Sequence, residues 1–125
     1  MTDAGKFVAF AQSLKGDEKQ EAQTFLNHFF QVFGYDDVFT AGGLFEARIK
    51  PSDASTKYAD CLFAPQGHSG VLIEMKGRKE KFLDKHFDQV KNYWLDMKPQ
   101  EVIGPGAQKP RYAILCNFDE FIIYD

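Results

Sequence analysis

Three charged residues sit where the surrounding sequence reads as apolar strand. Asp60 interrupts Tyr58-Ala59-Asp60-Cys61-Leu62-Phe63, and Glu74 and Lys76 interrupt Val71-Leu72-Ile73-Glu74-Met75-Lys76. Aspartate is depleted in strands, and a buried carboxylate is costly unless it is paired, protonated or bound to a metal. Breaks in local rules of this kind mark functional positions. If the intervening loop, Ala64 to Gly70, folds symmetrically about Gly67, Phe63 faces Val71 and Asp60 faces Glu74. Directly opposed residues share a sheet face, with Cβ atoms about 4.5–5.5 Å apart. Two carboxylates that close repel, so one is protonated or a cation sits between them. Mg²⁺ suits such a pair, because it takes one or two carboxylates and keeps waters and phosphate oxygens. Alternation places Lys76 on the face of Glu74. A bare Glu-x-Lys is common as a solvated ion pair; the opposed aspartate in an apolar strand sets this one apart.

These residues need a sheet, and the flanking pattern supplies the rest of an α/β domain. Phe7, Val8, Phe10, Ala11 and Leu14 predict a short helix over 3–14. Lys15-Gly16-Asp17 reads as a stop and a new start, with Asp17 as N-cap. Ala22, Phe25, Leu26, Phe29, Phe30 and Phe33 follow at spacings of 3 and 4, an amphipathic helix that Gly34 ends. Leu44–Ile49, Tyr58–Phe63 and Val71–Met75 are strand-like. Asp84–Met97 is helical, residues 98–110 form a Pro- and Gly-rich loop, and Arg111–Cys116 and Phe121–Tyr124 are two last strands around an Asn-Phe-Asp-Glu turn. The predicted order is α-α-β-β-β-α-β-β: an antiparallel meander, then a right-handed crossover to a strand parallel to the third.

Composition bounds the function. The chain has 125 residues, 44% hydrophobic and 26% charged, with 13 Phe, 5 Tyr and 1 Trp. That is one domain with enough core to need no disulfide or metal staple. The net charge is −3, which argues against tight non-specific nucleic-acid binding by the chain as a whole. The segment 76–85 nevertheless carries five cations against two acids, a net +3. No apolar run is long enough for a transmembrane span, and the N-terminus lacks a signal-peptide pattern. A cytoplasmic protein is expected, with Cys61 and Cys116 as buried reduced thiols, and two Cys and three scattered His give no zinc spacing. The sequence stops directly on an apolar strand, which suggests a fragment of a longer protein.

Asp60 with Glu74-Met75-Lys76 resembles the PD-(D/E)XK nuclease superfamily. Ala59 stands where that motif commonly has proline, a position with no assigned chemistry. Gln89 and Tyr93 match the Q-x-x-x-Y of its RecB-like branch, and His86 shares their helix face. Glu21, in the helix before the meander, lies where many members carry an accessory acid. Lys15-Gly16-Asp17-Glu18-Lys19, Val71 to Lys76 and Leu115 to Phe121 make nearly the whole chain similar to the N-terminal nuclease domain of MmeI-like Type IIL/IIG restriction–modification enzymes. The resemblance implies a restriction-endonuclease-like core, αβββαβ, with a mixed sheet flanked by helices. It makes residues 1–125 a single endonuclease domain. An adenine-N6 DNA methyltransferase using S-adenosylmethionine and a target-recognition domain would follow in the same chain.

The chemistry so implied is site-specific, Mg²⁺-dependent hydrolysis of double-stranded DNA, a type II deoxyribonuclease activity leaving 5′-phosphates, with Mn²⁺ as a substitute ion. Asp60, Glu74 and the Met75 carbonyl would hold the metal. Lys76 would position or help deprotonate a water. Glu21 would contact a metal-bound water or a second metal, and Gln89 and Tyr93 would orient the lysine or a phosphate. Arg78, Lys79, Lys81 and Lys85 would contact backbone phosphates, which position DNA without reading sequence. Two rivals differ in class. A non-catalytic nucleic-acid-binding or assembly module would keep the fold but has no need of three charges on one face. A stand-alone small nuclease, such as a junction resolvase, would favour a basic surface, against the net −3.

Overall fold

The computed structural model describes residues 3–49, 57–65 and 69–125. The elements follow the order α1 (Asp3–Ser13), α2 (Glu18–Val32), β1 (Leu44–Arg48), β2 (Tyr58–Phe63), β3 (Val71–Met75), a 3₁₀ turn (Leu83–His86), α3 (Phe87–Asp96), the single turn α4 (Pro99–Val102), β4 (Tyr112–Cys116) and β5 (Phe121–Tyr124). The five strands form one open sheet in sequence order. β1, β2 and β3 are an antiparallel meander, β4 runs parallel to β3, and β5 returns antiparallel to β4. This is the mixed sheet flanked by helices that the sequence leads one to expect, consistent with a restriction-endonuclease-like core.

Two apolar layers sandwich the sheet. Ala22, Phe25, Leu26 and Phe30 of α2 pack with Ala11 of α1 against Cys61, Ile73, Met75, Ile114 and Cys116. On the opposite face, Val90, Tyr93 and Trp94 of α3 cover Leu62, Leu72, Ala113 and Leu115. α2 starts where its cap residue dictates: Asp17 Oδ1 accepts from the amides of Lys19 and Gln20 at 2.9 and 3.1 Å. Both cysteines are buried free thiols. Burial pushes each thiol up to about 12. Among the described residues no helix is long and apolar enough to cross a membrane.

Two elements depart from expectation. The helix expected over 84–97 begins instead as a 3₁₀ turn, and neither Phe82 nor His86 supplies a side-chain cap. Uncapped first amides are commonly met by tightening the turn. The expected loop 98–110 contains α4, started by Pro99, whose fixed φ and missing N–H suit a first helical position.

Candidate active site

The paired positions of β2 and β3 run from Phe63–Val71 through Leu62–Leu72 to Cys61–Ile73. One step further on the same register come Asp60 and Glu74. There the side chains take over from the backbone: the Asp60 amide donates to Glu74 Oε1 at 3.2 Å, and the Met75 amide donates to Asp60 Oδ2 at 2.6 Å. The two acids expected to face each other thus each accept from a backbone amide of the opposite strand. Gly67, the expected apex of the connection, lies outside the described residues.

Glu74 is only 5% exposed. Burial, and then the charge of Asp60, raise its carboxyl well above the usual carboxylate range, and the nearby Lys76 only partly opposes them. Lys76 Nζ lies 3.8 Å from Glu74 Oε2. It donates to Gln89 Oε1 at 2.8 Å, and Gln89 Nε2 donates to the Tyr93 hydroxyl at 3.2 Å. Because an ammonium has only protons to offer, it selects the amide oxygen and leaves the amide NH₂ for the tyrosine. α3 therefore holds the lysine from across the sheet face, and Asp60, Glu74, Lys76, Gln89 and Tyr93 form one hydrogen-bonded and ionic chain. Met75 lies under the same strand end, its side chain buried in the opposite layer.

Glu21 is placed differently. Its Oε1 accepts from the amides of Gly16 and Asp17 at 2.8 and 2.9 Å, and its Oε2 from Lys15 at 3.2 Å. Backbone amides, those of Asp17 first, hold this carboxyl below its usual range. Asp60 instead borders a cavity of about 350 Å³ with Glu18 and Gln23 of α2 and Glu46 of β1. Sequence reasoning missed Glu18 and Glu46. Glu46 carried a signal, since the β1–β2 register, with Phe45 opposite Cys61 and Ala47 opposite Ala59, brings it level with Asp60. Its φ of 49° breaks the ladder at that point.

The basic segment divides as well. The Arg78 guanidinium bonds the carbonyls of Leu14 and Ala11 at the end of α1 and the Asp119 carboxylate. Lys81 lies 3.9 Å from Asp119, and Lys85 lies 3.2 Å from Glu80. Lys79 is exposed, with no ion-pair partner among the described residues. His86 Nε2 bonds Glu80 at 2.9 Å. That bond is the main cause, with the Phe82 amide second, that pulls the Glu80 carboxyl down to about 2.

A family model described as "MmeI, N-terminal domain" matches residues 2–125. Comparison with curated proteins and with solved structures gives no match.

Proposed function

We propose that this chain, which belongs to the family of MmeI N-terminal domains, is a Mg²⁺-dependent DNA endonuclease domain of the PD-(D/E)XK type within a restriction–modification enzyme. The supporting observation is the continuous set Asp60–Glu74–Lys76–Gln89–Tyr93 at one end of the central strand. Two adjacent acids with hard oxygen donors fit a Mg²⁺-type ion, which binds through one or two carboxylates and keeps coordination positions for water and phosphate. Asp60, Glu74 and the Met75 carbonyl would hold it. When bound, the ion lowers the pKa of a coordinated water and offsets charge on the scissile phosphate.

The protein's own groups do the positioning. Gln89 restricts the rotation of the Lys76 side chain and holds its ammonium beside the Glu74 carboxyl. From there Lys76 can donate to the oxygen of the attacking water or to an oxygen of the phosphate. Tyr93 fixes the Gln89 amide in the orientation that accepts from lysine. Glu21 acts at one remove, by fixing the start of α2, whose Glu18 faces the cavity beside Asp60. Lys79, Lys81 and Lys85 would lie along backbone phosphates, while Arg78 braces the segment that carries them. The full-length enzyme is taken to carry the methyltransferase, its S-adenosylmethionine and the target recognition.

A non-catalytic DNA-binding or assembly module is the second reading. Its support is that both carboxylate oxygens of Glu21, expected at a metal-bound water, are taken by the amides of Lys15, Gly16 and Asp17. Cleavage of duplex DNA in Mg²⁺ by the intact enzyme separates the two. Asp60→Asn and Lys76→Ala should each abolish cutting while methylation persists. Undiminished cutting by either variant would overturn the site assignment.

A further inference from the structure

We propose that Phe82 is a nucleobase contact: its ring stacks on a base of the bound DNA, close to the scissile phosphate. This rests on DNA being the substrate, as argued above, and adds to it a contact that is neither phosphate nor metal.

The ring is 70% exposed. Burying a phenylalanine side chain is worth about 1.5–3 kcal/mol, a gain forgone here. The backbone beneath it is nevertheless fixed. The Phe82 amide donates to Glu80 Oε1 at 3.2 Å, and the Lys85 amide to the Phe82 carbonyl at 3.3 Å. Buried Asn117 donates to the Glu80 carbonyl at 2.7 Å. The next residue, Leu83, is buried in the core. The segment is thus anchored by Leu83 while Phe82 projects, a pre-organised aromatic that loses little freedom on binding.

Charge tells which kind of partner fits. Lys79, Lys81 and Lys85 lie within three residues of Phe82 against Glu80 and Asp84, a net +1, and the contacts of Lys81 with exposed Asp119 and of Lys85 with half-buried Glu80 leave both lysine side chains more than half exposed. A phosphate can replace either carboxylate. Phe39, 80% exposed, has instead Asp36 and Asp37 and no cation within three residues, a net −2 that repels phosphate. Position agrees as well. Six residues of chain span at most roughly 22 Å, so Phe82 stays within that reach of Lys76. One turn of duplex is about 34 Å. A phosphate at Lys76 therefore brings bases of the same turn within range of the ring. Aromatic side chains take up bases either by stacking or by wedging into partly unstacked steps.

The test is duplex binding by the chain in an Asp60→Asn background, which keeps DNA intact, at several salt concentrations. Phe82→Ala should weaken binding about tenfold or more with the salt slope unchanged, because a ring releases no counterions. Lys79→Ala should lower the slope by about 1. Phe82→Trp should restore affinity and Phe82→Leu should not. Wild-type affinity in Phe82→Leu or Phe82→Ala would overturn the proposal, as would a change confined to oligomeric state, which would make the ring a protein contact. Failure of the nuclease reading is separable: it would leave Phe82-dependent binding in a protein whose Asp60 form cuts nothing.

Discussion

Glu74 must be neutral or find a cation, because burial and Asp60 both act against its charge. Its folded pKa lies above the unfolded value of about 4.3. The fold therefore binds the extra proton. That stabilisation is complete below about pH 4 and is lost as pH rises through the raised folded value. In metal-free buffer, melting temperatures of the wild type and Glu74→Gln should diverge with rising pH, the variant becoming the more stable, at about 4 °C per kcal/mol. Added Mg²⁺ or Mn²⁺ should reverse the order, since only the wild type gains by linkage. Parallel pH curves for the two proteins would show that Glu74 carries no such strain. Gln89 is tested by kinetics. Gln89→Ala frees the Lys76 ammonium and should lower kcat of the intact enzyme by about 10–100-fold with metal-induced stabilisation unchanged. The contact of Asp60 with Glu74 was legible in the sequence because a strand's period is 2 and a hairpin is symmetric. Gln89 and Tyr93 were legible only through the family motif, since helical spacing alone cannot say which strand a helix face meets.

Elements are held around this set by contacts far apart in sequence. Gly16, with φ at 85°, lets the α1–α2 turn pass against Arg78; a Cβ there would run into the arginine side chain. Arg78 closes the end of α1, and its guanidinium lies over the Phe118 ring, 5.7 Å from its centroid. Asn117 joins the two chain segments after β3 and β4: its Oδ1 accepts from Asp119 and Glu120 at 3.1 and 2.8 Å while its Nδ2 holds Glu80. Fully buried, it is satisfied on both sides. Asn117→Ala should cost about 1–3 kcal/mol in urea unfolding, the penalty of orphaned buried polar groups. A loss below about 0.5 kcal/mol would mean that water replaces the amide. The Asn-Phe-Asp-Glu turn was visible in sequence as a turn. Its clamp on Glu80 was not, because the partner lies 37 residues away. The brace by Arg78 escaped for the same reason, and a basic run read as a phosphate surface proved to hold one structural arginine.

At the scale of the molecule, the succession of helices and strands followed from hydrophobic periodicity, whereas the cavity shared by Glu18, Glu46 and Asp60 required the packing of α2 across the meander. The chain should bind duplex DNA weakly and lose affinity steeply with salt, since one basic segment works against a net charge of −3. Titration at two ionic strengths checks this, and salt-independent, sequence-selective binding would contradict it. Cys61 and Cys116, buried on opposite sides of β3, should react with a thiol reagent only as fast as the fold opens. Labelling within seconds in native buffer would show that the sheet opens without global unfolding.

β5 has one further consequence. It pairs with β4 on one side and ends the sheet on the other, and its four residues, Phe-Ile-Ile-Tyr, carry no charge. Ile123 is 63% exposed, while Phe121 stacks on Phe29 of α2, ring centroids 5.1 Å apart. Nature usually blunts such a margin with lysine, proline or a bulge, because open amides and carbonyls beside apolar side chains recruit further strands. In concentrated solution this margin is where the chain would aggregate by strand addition. Turbidity should rise with protein concentration and fall in Ile123→Lys. The site at Lys76, two strands inward, would be left untouched.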